Sequence, residues 1–310
     1  MEAAIEAVEQ AFRLHAQGQS VMPIRGITET DHGILLTMPA ALEGDQRSLA
    51  VKVVSVFPKN AQKNFPLIHA SVLLNDAETG QPLALLEGSY LTGLRTGATS
   101  GVAAKYLAAE DAKVLGVIGC GYQAFFQVWA LSCVRTFDQV ILFNRSQPKA
   151  EPLKQKLETE LKLDVSVADS VAEVAKQSEV LITSTGSMEP VFDSHNLSEK
   201  CTVIAIGAFT PEMRETDDHF IQNASLFVDD HEAALHEAGD LMIPMNAGLI
   251  NESDIQGSLG ELVMEEVPGR QTDDKWIFFK SVGLAIEDVA AVELAYHNAK
   301  QQGFGTEVDF

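Results

Sequence analysis

The sequence predicts an α/β protein, a doubly wound parallel sheet joined to a mixed α/β domain. Three observations lead there. Residues 114–124 read VLGVIGCGYQA, a strand-compatible run entering a glycine-rich turn, followed by the helix-compatible stretch FFQVWALSCV. From 113 to about 280, short aliphatic runs alternate with helical ones, the pattern of strands joined by helical crossovers. Residues 33–87 instead hold consecutive β-rich runs separated by Pro, Gly and polar turns, which reads as an antiparallel layer.

Taken in order, residues 2–17 place Ile5, Val8 and Phe12 at helical spacing with Gly18 as a stop, so an amphipathic helix opens the chain. Arg25 follows in the extended segment VMPIRGITE. Strands are expected over 33–40, 48–58 and 65–76, then a hairpin turn over 76–80 and a returning strand, PLALLEG. Lys52 stands inside the second of these, where alternation puts it on one face with Ala50 and Val54; an outward, solvated lysine is an equal reading. Residues 91–108, LTGLRTGATSGVAAKYLA, form a helix that Thr92 can cap and whose first turn carries Arg95 and Thr96. Gly97 and Gly101 each cost that helix about 1 kcal/mol against alanine, so another backbone or a ligand is expected close against it.

The second half gives strands at 114–118, 139–145, LDVSVA, 179–185, 202–207 and 225–230, with helices from Gln123, over 148–161 and at VAEVAKQ. The end, KWIFFKSVGLAIEDVAAVELAYHNAKQQG, reads as a strand, a turn at 281–283 and a long helix stopping at Gly303. A terminal helix of this kind packs back on the first domain. The expected division is therefore 1–112 with 284–310 as one domain and 113–283 as the other.

Composition bounds the function. The chain of 310 residues is 46% apolar and 21% charged, as a soluble globular protein is. No apolar run approaches the roughly 18 residues of a membrane span, and the start, MEAAIEAVEQAF, lacks a signal-peptide pattern; a cytoplasmic protein with no membrane partner is expected. Cys120, Cys133 and Cys201 show no metal-ligand spacing, which suits a reduced compartment without structural zinc. His231, Glu232, His236 and Glu237 in DHEAALHEAGD read as a solvated or pocket-rim helix face rather than a metal site.

Forty-four acidic against 22 basic residues give a net charge of −22, which argues against nucleic acid as a partner. The excess serves solubility or reflects a salty environment. Either way it makes basic residues informative. Arg25, Lys52 and Arg95 are of joint interest because a carboxylate substrate needs convergent cationic donors. The plain alternatives are a surface position for Arg25 and pairing of Arg95 with Glu87 or Asp111.

The 119–124 turn has a chemical reading. Gly119 permits the turn, Gly121 lets backbone amides approach a pyrophosphate, and Ala124 takes the third-glycine place of GxGxxG, so that phosphates would face a helix N-terminus. An acid about 20 residues on would bind the ribose hydroxyls of NAD. Here Asn144, Arg145 and Ser146 stand instead. Arg145 can face a 2′-phosphate, which favours NADP(H) over NAD(H); if it only stacks on adenine, both are accepted.

Taken together, LRTGATSGVAAKYLA, GCGYQA and FKSVGLAIEDVAA resemble the ornithine cyclodeaminase/mu-crystallin family, over essentially the whole chain. The resemblance implies a Rossmann domain binding NAD(P) and a sheet layer that binds substrate and builds a homodimer. It implies that Arg25, Lys52 and Arg95 bind substrate, with Lys52 also the catalytic group. It implies cofactor contacts from His69, Arg95, Thr96, Gly119, Cys120, Gly121, Tyr122, Gln123, Asn144, Arg145, Ser146, Thr185, Ile206 and Ser281. Family members begin with a short strand before the first helix, whereas this chain begins at that helix, so a start truncated relative to the family is the corresponding expectation.

Two departures bear on activity. Cyclodeaminases of the family carry a carboxylate where Phe209 stands in IGAFTP, and a glutamate where Leu36 stands before Met38-Pro39. Without those acids the pocket suits an imine with one carboxylate. The resemblance thus implies an NAD(P)H-dependent ketimine reductase that converts a cyclic imino acid such as Δ1-pyrroline-2-carboxylate to L-proline. Alternatives are an ornithine cyclodeaminase or alanine dehydrogenase using Glu237 or Asp230 as the acid, and a non-catalytic NADP(H)-dependent small-ligand binder of mu-crystallin type.

Overall fold

The computed structural model describes residues 1–44, 47–63 and 65–308. Helix α1 (Glu2–Ala16) buries Ile5, Val8 and Phe12, as their spacing predicts. Six strands follow: β1 (Ser20–Val21), β2 (Gly26–Thr30), β3 (Gly33–Leu42), β4 (Ser48–Val56), β5 (Ile68–Asn75) and β6 (Pro82–Glu87). They form an antiparallel sheet in the order β1-β3-β4-β5-β6, with β2 also paired to β3. The turn between β5 and β6 closes as expected, with Gly80 N donating to Asp76 O and Gly80 at φ +74°.

Register decides what each face carries. Met38, Lys52 and Val72 are directly opposite one another on β3, β4 and β5, and all three are buried. Leu35, Val53 and Leu85 fall on the other face, which is exposed. Lys52 is therefore a core-face residue and not the solvated lysine that alternation alone allows.

Helix α2 (Gly88–Leu107) starts earlier than the sequence reading places it. Its cap is Glu87, whose carboxylate accepts from Ser89 N (2.6 Å) and Tyr90 N (2.9 Å), satisfying two of the N-terminal donors. Thr92 is not the cap; its hydroxyl donates to Gly88 O within the helix. The close neighbour expected at Gly97 is backbone, since a Cβ there would lie 2.5 Å from Phe126 O on α3 (Tyr122–Val134).

The second sheet contains β7 (Val114–Ile118), β8 (Gln139–Phe143), β9 (Val165–Val167), β10 (Val180–Thr183), β11 (Cys201–Ala205), β12 (Ser225–Val228), β13 (Ile255–Ser258) and β14 (Trp276–Lys280). All its pairings are parallel, in the order β13-β12-β14-β11-β10-β7-β8-β9. β10, β11 and β14 are buried throughout, as parallel strands covered on both faces must be. Strand order reverses beside β7, whose neighbours are β8 and β10. Such a switch point, at the carboxyl ends of the strands, is where open α/β sheets bind ligands.

The connecting helices are α4 (Ala150–Lys156), α5 (Val171–Gln177), α6 (Asp218–Asn223), α7 (His231–Glu237), α8 (Gly239–Asn246) and α9 (Leu259–Val263); α10 (Ala285–Gln302) closes the chain. The helix expected over 148–161 is α4 followed by a π-turn, ended by Lys162 at φ +59°. DHEAALHEAGD is not one helix, because the chain breaks at Ala238 between α7 and α8. There His231 pairs with Glu261 at 3.0 Å, and Asp230 caps α7 by accepting from Ala233 N.

The chain divides into two compact units, Met1–Glu2 with Thr96–Leu284 and Ala3–Arg95 with Ala285–Phe310. The first holds the parallel sheet and the second the antiparallel one. Among the described residues no helix is long and apolar enough to cross a membrane.

Candidate active site

In the parallel-sheet unit the residues singled out from the sequence collect at the carboxyl ends of adjacent strands. Gly119 follows β7 at φ +99°, and a Cβ there would meet Ser184 O at 2.7 Å, so only glycine fits the turn. Gly121 has no heavy atom within 4 Å of where a Cβ would be. It precedes α3, whose N-terminus has no side-chain cap and no acid in its first turn. Open space in front of a helix N-terminus without a side-chain cap is the setting an anionic phosphate needs. Beside it, the buried Gln123 Oε1 has no hydrogen-bond partner among the described residues, while Tyr122 is exposed.

Asn144, after β8, ties this turn to the next: its Oδ1 accepts from Cys120 N (3.1 Å) and its Nδ2 donates to Ser146 O (2.9 Å). Arg145 between them is exposed. Cys120 itself is no nucleophile, since burial pushes its thiol up to about 12. Ser184, after β10, donates to Gly119 O at 2.8 Å. Thr185, Ile206 and Ser281 follow β10, β11 and β14, with Ile206 N bonded to Thr183 O and Ser281 N to Ala205 O. These loops are thus laced together in sheet order. Thr96 is buried on α2.

In the antiparallel-sheet unit, Lys52 and Arg95 share a buried ionic cluster. Lys52 Nζ lies 2.6 Å from Asp288 Oδ2, Arg95 Nε lies 3.1 Å from Asp288 Oδ1, and Arg95 Nη1 donates to Glu287 Oε2 at 2.7 Å. Lys52 is 2% exposed, Arg95 6%, Glu287 0% and Asp288 1%. The partners of Arg95 in this cluster are thus Glu287 and Asp288, both on α10. Burial lowers the Lys52 ammonium to about 8, helped by the Arg95 charge and opposed by Asp288 and Glu287. An ammonium of that acidity can give up a proton near neutral pH.

Arg25 is half-buried between β1 and β2. His69 is exposed on β5, opposite Ser55. Both belong to the same unit as Lys52.

Sequence reasoning passes over the two carboxylates that organise this cluster. The signal is present, because Glu287 and Asp288 interrupt an apolar run in which every residue from 285 to 292 is buried. Acids in the middle of a fully buried helix turn require cationic or hydrogen-bonding partners. A third carboxylate it passes over, Glu215, accepts from Thr185 and Gly207 in the other unit.

Comparison with known proteins agrees with this architecture. The sequence pattern of the ornithine cyclodeaminase/mu-crystallin family matches residues 1–303. A Δ1-pyrroline-2-carboxylate reductase of Bacillus cereus is 39% identical over 313 residues, covering 100% of this chain and 96% of the relative. The structure of Thermococcus litoralis Δ1-pyrroline-2-carboxylate reductase in complex with NADH and L-proline superposes with a TM-score of 0.94 at 40% identity, over 98% of this chain and 95% of that one. An archaeal alanine dehydrogenase dimer with bound NAD gives 0.94 at 36% identity, over 100% and 95%. With its whole length matched in sequence and in fold, the chain belongs to the ornithine cyclodeaminase/mu-crystallin family.

Proposed function

We propose that this protein is an NAD(P)H-dependent ketimine reductase that converts a cyclic imino acid, Δ1-pyrroline-2-carboxylate or a close analogue, to the amino acid, L-proline in that case. The observation that carries the reading is the buried cluster in which Asp288 joins Lys52 to Arg95. Relatives named as reductases of this imine, at 39% and 40% identity, support the same substrate class.

Gly119, Gly121 and the amides opening α3 hold the cofactor's pyrophosphate; a reduced nicotinamide supplies the hydride to the imine carbon when bound. Arg25 and Arg95 hold the substrate carboxylate through charge-assisted hydrogen bonds. Lys52 is the proton source for the nitrogen that becomes the amine, directly or through water, and Asp288 keeps that ammonium charged in its dry setting. Arg145, exposed and with no acid at Asn144 or Ser146, favours NADP(H), with NAD(H) also accepted. Leu36 is buried on β3 and Phe209 follows β11, so neither position supplies the carboxylate that a diamine's distal ammonium would need. The exposed apolar face bearing Leu35, Val53 and Leu85 supports a homodimer built through that sheet.

A spectrophotometric panel tests the reading. NADPH oxidation is expected to be fastest with pyrroline-2-carboxylate or piperideine-2-carboxylate. Faster turnover with pyruvate plus ammonia would make the protein an alanine dehydrogenase, and turnover of ornithine without added reductant would make it a cyclodeaminase.

A further inference from the structure

Beneath the strand ends of the parallel sheet lies a second charged network that the reaction above does not use. Glu215, Asp240 and Lys280 are each fully buried. Glu215 Oε1 accepts from Thr185 N (2.6 Å) and Thr185 Oγ1 (2.7 Å), and its Oε2 accepts from Gly207 N (2.8 Å). One carboxylate thus bridges the loops after β10 and β11. Asp240 Oδ1 in turn accepts from Glu215 N (2.7 Å), Thr216 N (2.9 Å) and Thr216 Oγ1 (2.8 Å), while its Oδ2 faces Lys280 Nζ at 3.0 Å. Lys280 is the last residue of β14, directly before Ser281.

The bridge reaches the glycine turn. With its hydroxyl committed to Glu215, Thr185 places its methyl 2.8 Å from where a Cβ on Gly119 would stand. At the other end, a Cβ on Gly207 would collide with the Thr185 backbone and with Glu215 Oε1. Three loops at the switch point are therefore packed to a tolerance of less than one methyl group, around one carboxylate.

We propose that Glu215 is a positioning residue for the dinucleotide: without touching it, its ionised carboxylate sets the Thr185 and Gly207 loops against the Gly119 turn, and so controls cofactor affinity. The proposal rests on the dinucleotide reading of this crevice. Both carboxylate oxygens accept N–H bonds, which favours the ionised form, and protonation or a glutamine NH2 would set a hydrogen against one of those donors. Burial raises the pKa of Glu215, and Asp240 raises it further, while Lys280 and the Thr185 bonds lower it. Asp240 and Lys280 are the charged groups facing it, and Asp240 is held below the usual carboxylate range because Lys280 and its hydrogen bonds outweigh burial.

The test is fluorescence titration of NADPH and NADH into the full-length protein and into Glu215→Gln, with steady-state kinetics beside it. In the variant, Kd and KM for the dinucleotide are expected to rise about tenfold, while kcat at saturating dinucleotide and the KM for the imine change less than about threefold. A second measurement needs no variant: wild-type Kd should weaken as pH falls within the range where circular dichroism shows the protein folded. Equal Kd in wild type and Glu215→Gln, or a wild-type Kd flat with pH, would overturn the proposal. If wild type binds neither dinucleotide, the reading of the crevice fails instead, a distinct outcome.

Discussion

The two units bury charge in different ways, and the difference separates a group suited to moving a proton from one suited to holding a backbone. In the antiparallel-sheet unit, Asp288 is met by two side-chain cations, Lys52 at 2.6 Å and Arg95 at 3.1 Å. In the parallel-sheet unit, Asp240 is met by one cation, Lys280 at 3.0 Å, and by two backbone amides and a hydroxyl. Amides are fixed donors that never titrate, so a carboxylate they surround is a staple. Burial above all, and then the charge of Arg95 on the same carboxylate, leaves the more acidic of the two cations, Lys52, with a pKa of about 8. On the function proposed above, the first cluster carries the chemistry and the second only shapes the crevice.

The largest effect should come from Lys52→Met. Losing a general acid lowers rate by about 10²–10⁴-fold, so kcat/KM for the imine should fall within that range while NADPH binding, followed by fluorescence, stays as in wild type. Next, Lys280→Met leaves Asp240 buried without its cation, and breaking such a pair costs about 3–5 kcal/mol. The expected result is a clear drop in Tm with an unchanged alkaline limb in the pH profile. A variant that lost activity at full stability would erase the contrast between the clusters. Arg145→Asp should have the smallest effect: one charge-assisted contact of about 1.5 kcal/mol corresponds to a roughly tenfold shift from NADPH toward NADH in kcat/KM. Unchanged NADPH kinetics would remove Arg145 from the site.

Much of the fold was legible because its strands are short, apolar and separated by clear turn residues. VLGVI and VLIT could hardly be read otherwise, and all their residues but the first of VLGVI are buried. β13 was not legible, since IQGS has a single large apolar residue and stands at the end of the sheet, paired with β12 across a register shift. The Ala238 break between α7 and α8 was hidden by a run of good helix formers on both sides.

In the candidate site the cations stood out and the anions did not, for one reason. In a chain with 44 acids and 22 bases, a basic residue in an apolar strand is conspicuous, whereas Glu215, Asp240, Glu287 and Asp288 are four acids among many. What distinguishes them is burial, which depends on packing that no local window contains. Only the apolar run around Glu287 and Asp288 hinted at it.

The most direct test of the claim that Asp288 holds Lys52 ready as a proton source is the pH dependence of kcat/KM for the imine at saturating NADPH, in wild type and Asp288→Asn. Lys52 is lowered from 10.5 to about 8, so its ammonium is present below about pH 8 and lost as pH rises through it. The same shift means that unfolded chains bind this proton more tightly between those values, and the stability it contributes rises with pH there. Titration of the substrate is common to both enzymes, so any difference between them belongs to the protein. The account predicts a one-proton alkaline limb near pH 8 in wild type that moves to lower pH in Asp288→Asn, where the carboxylate stabilising the ammonium is gone. Superimposable profiles for the two enzymes would contradict it.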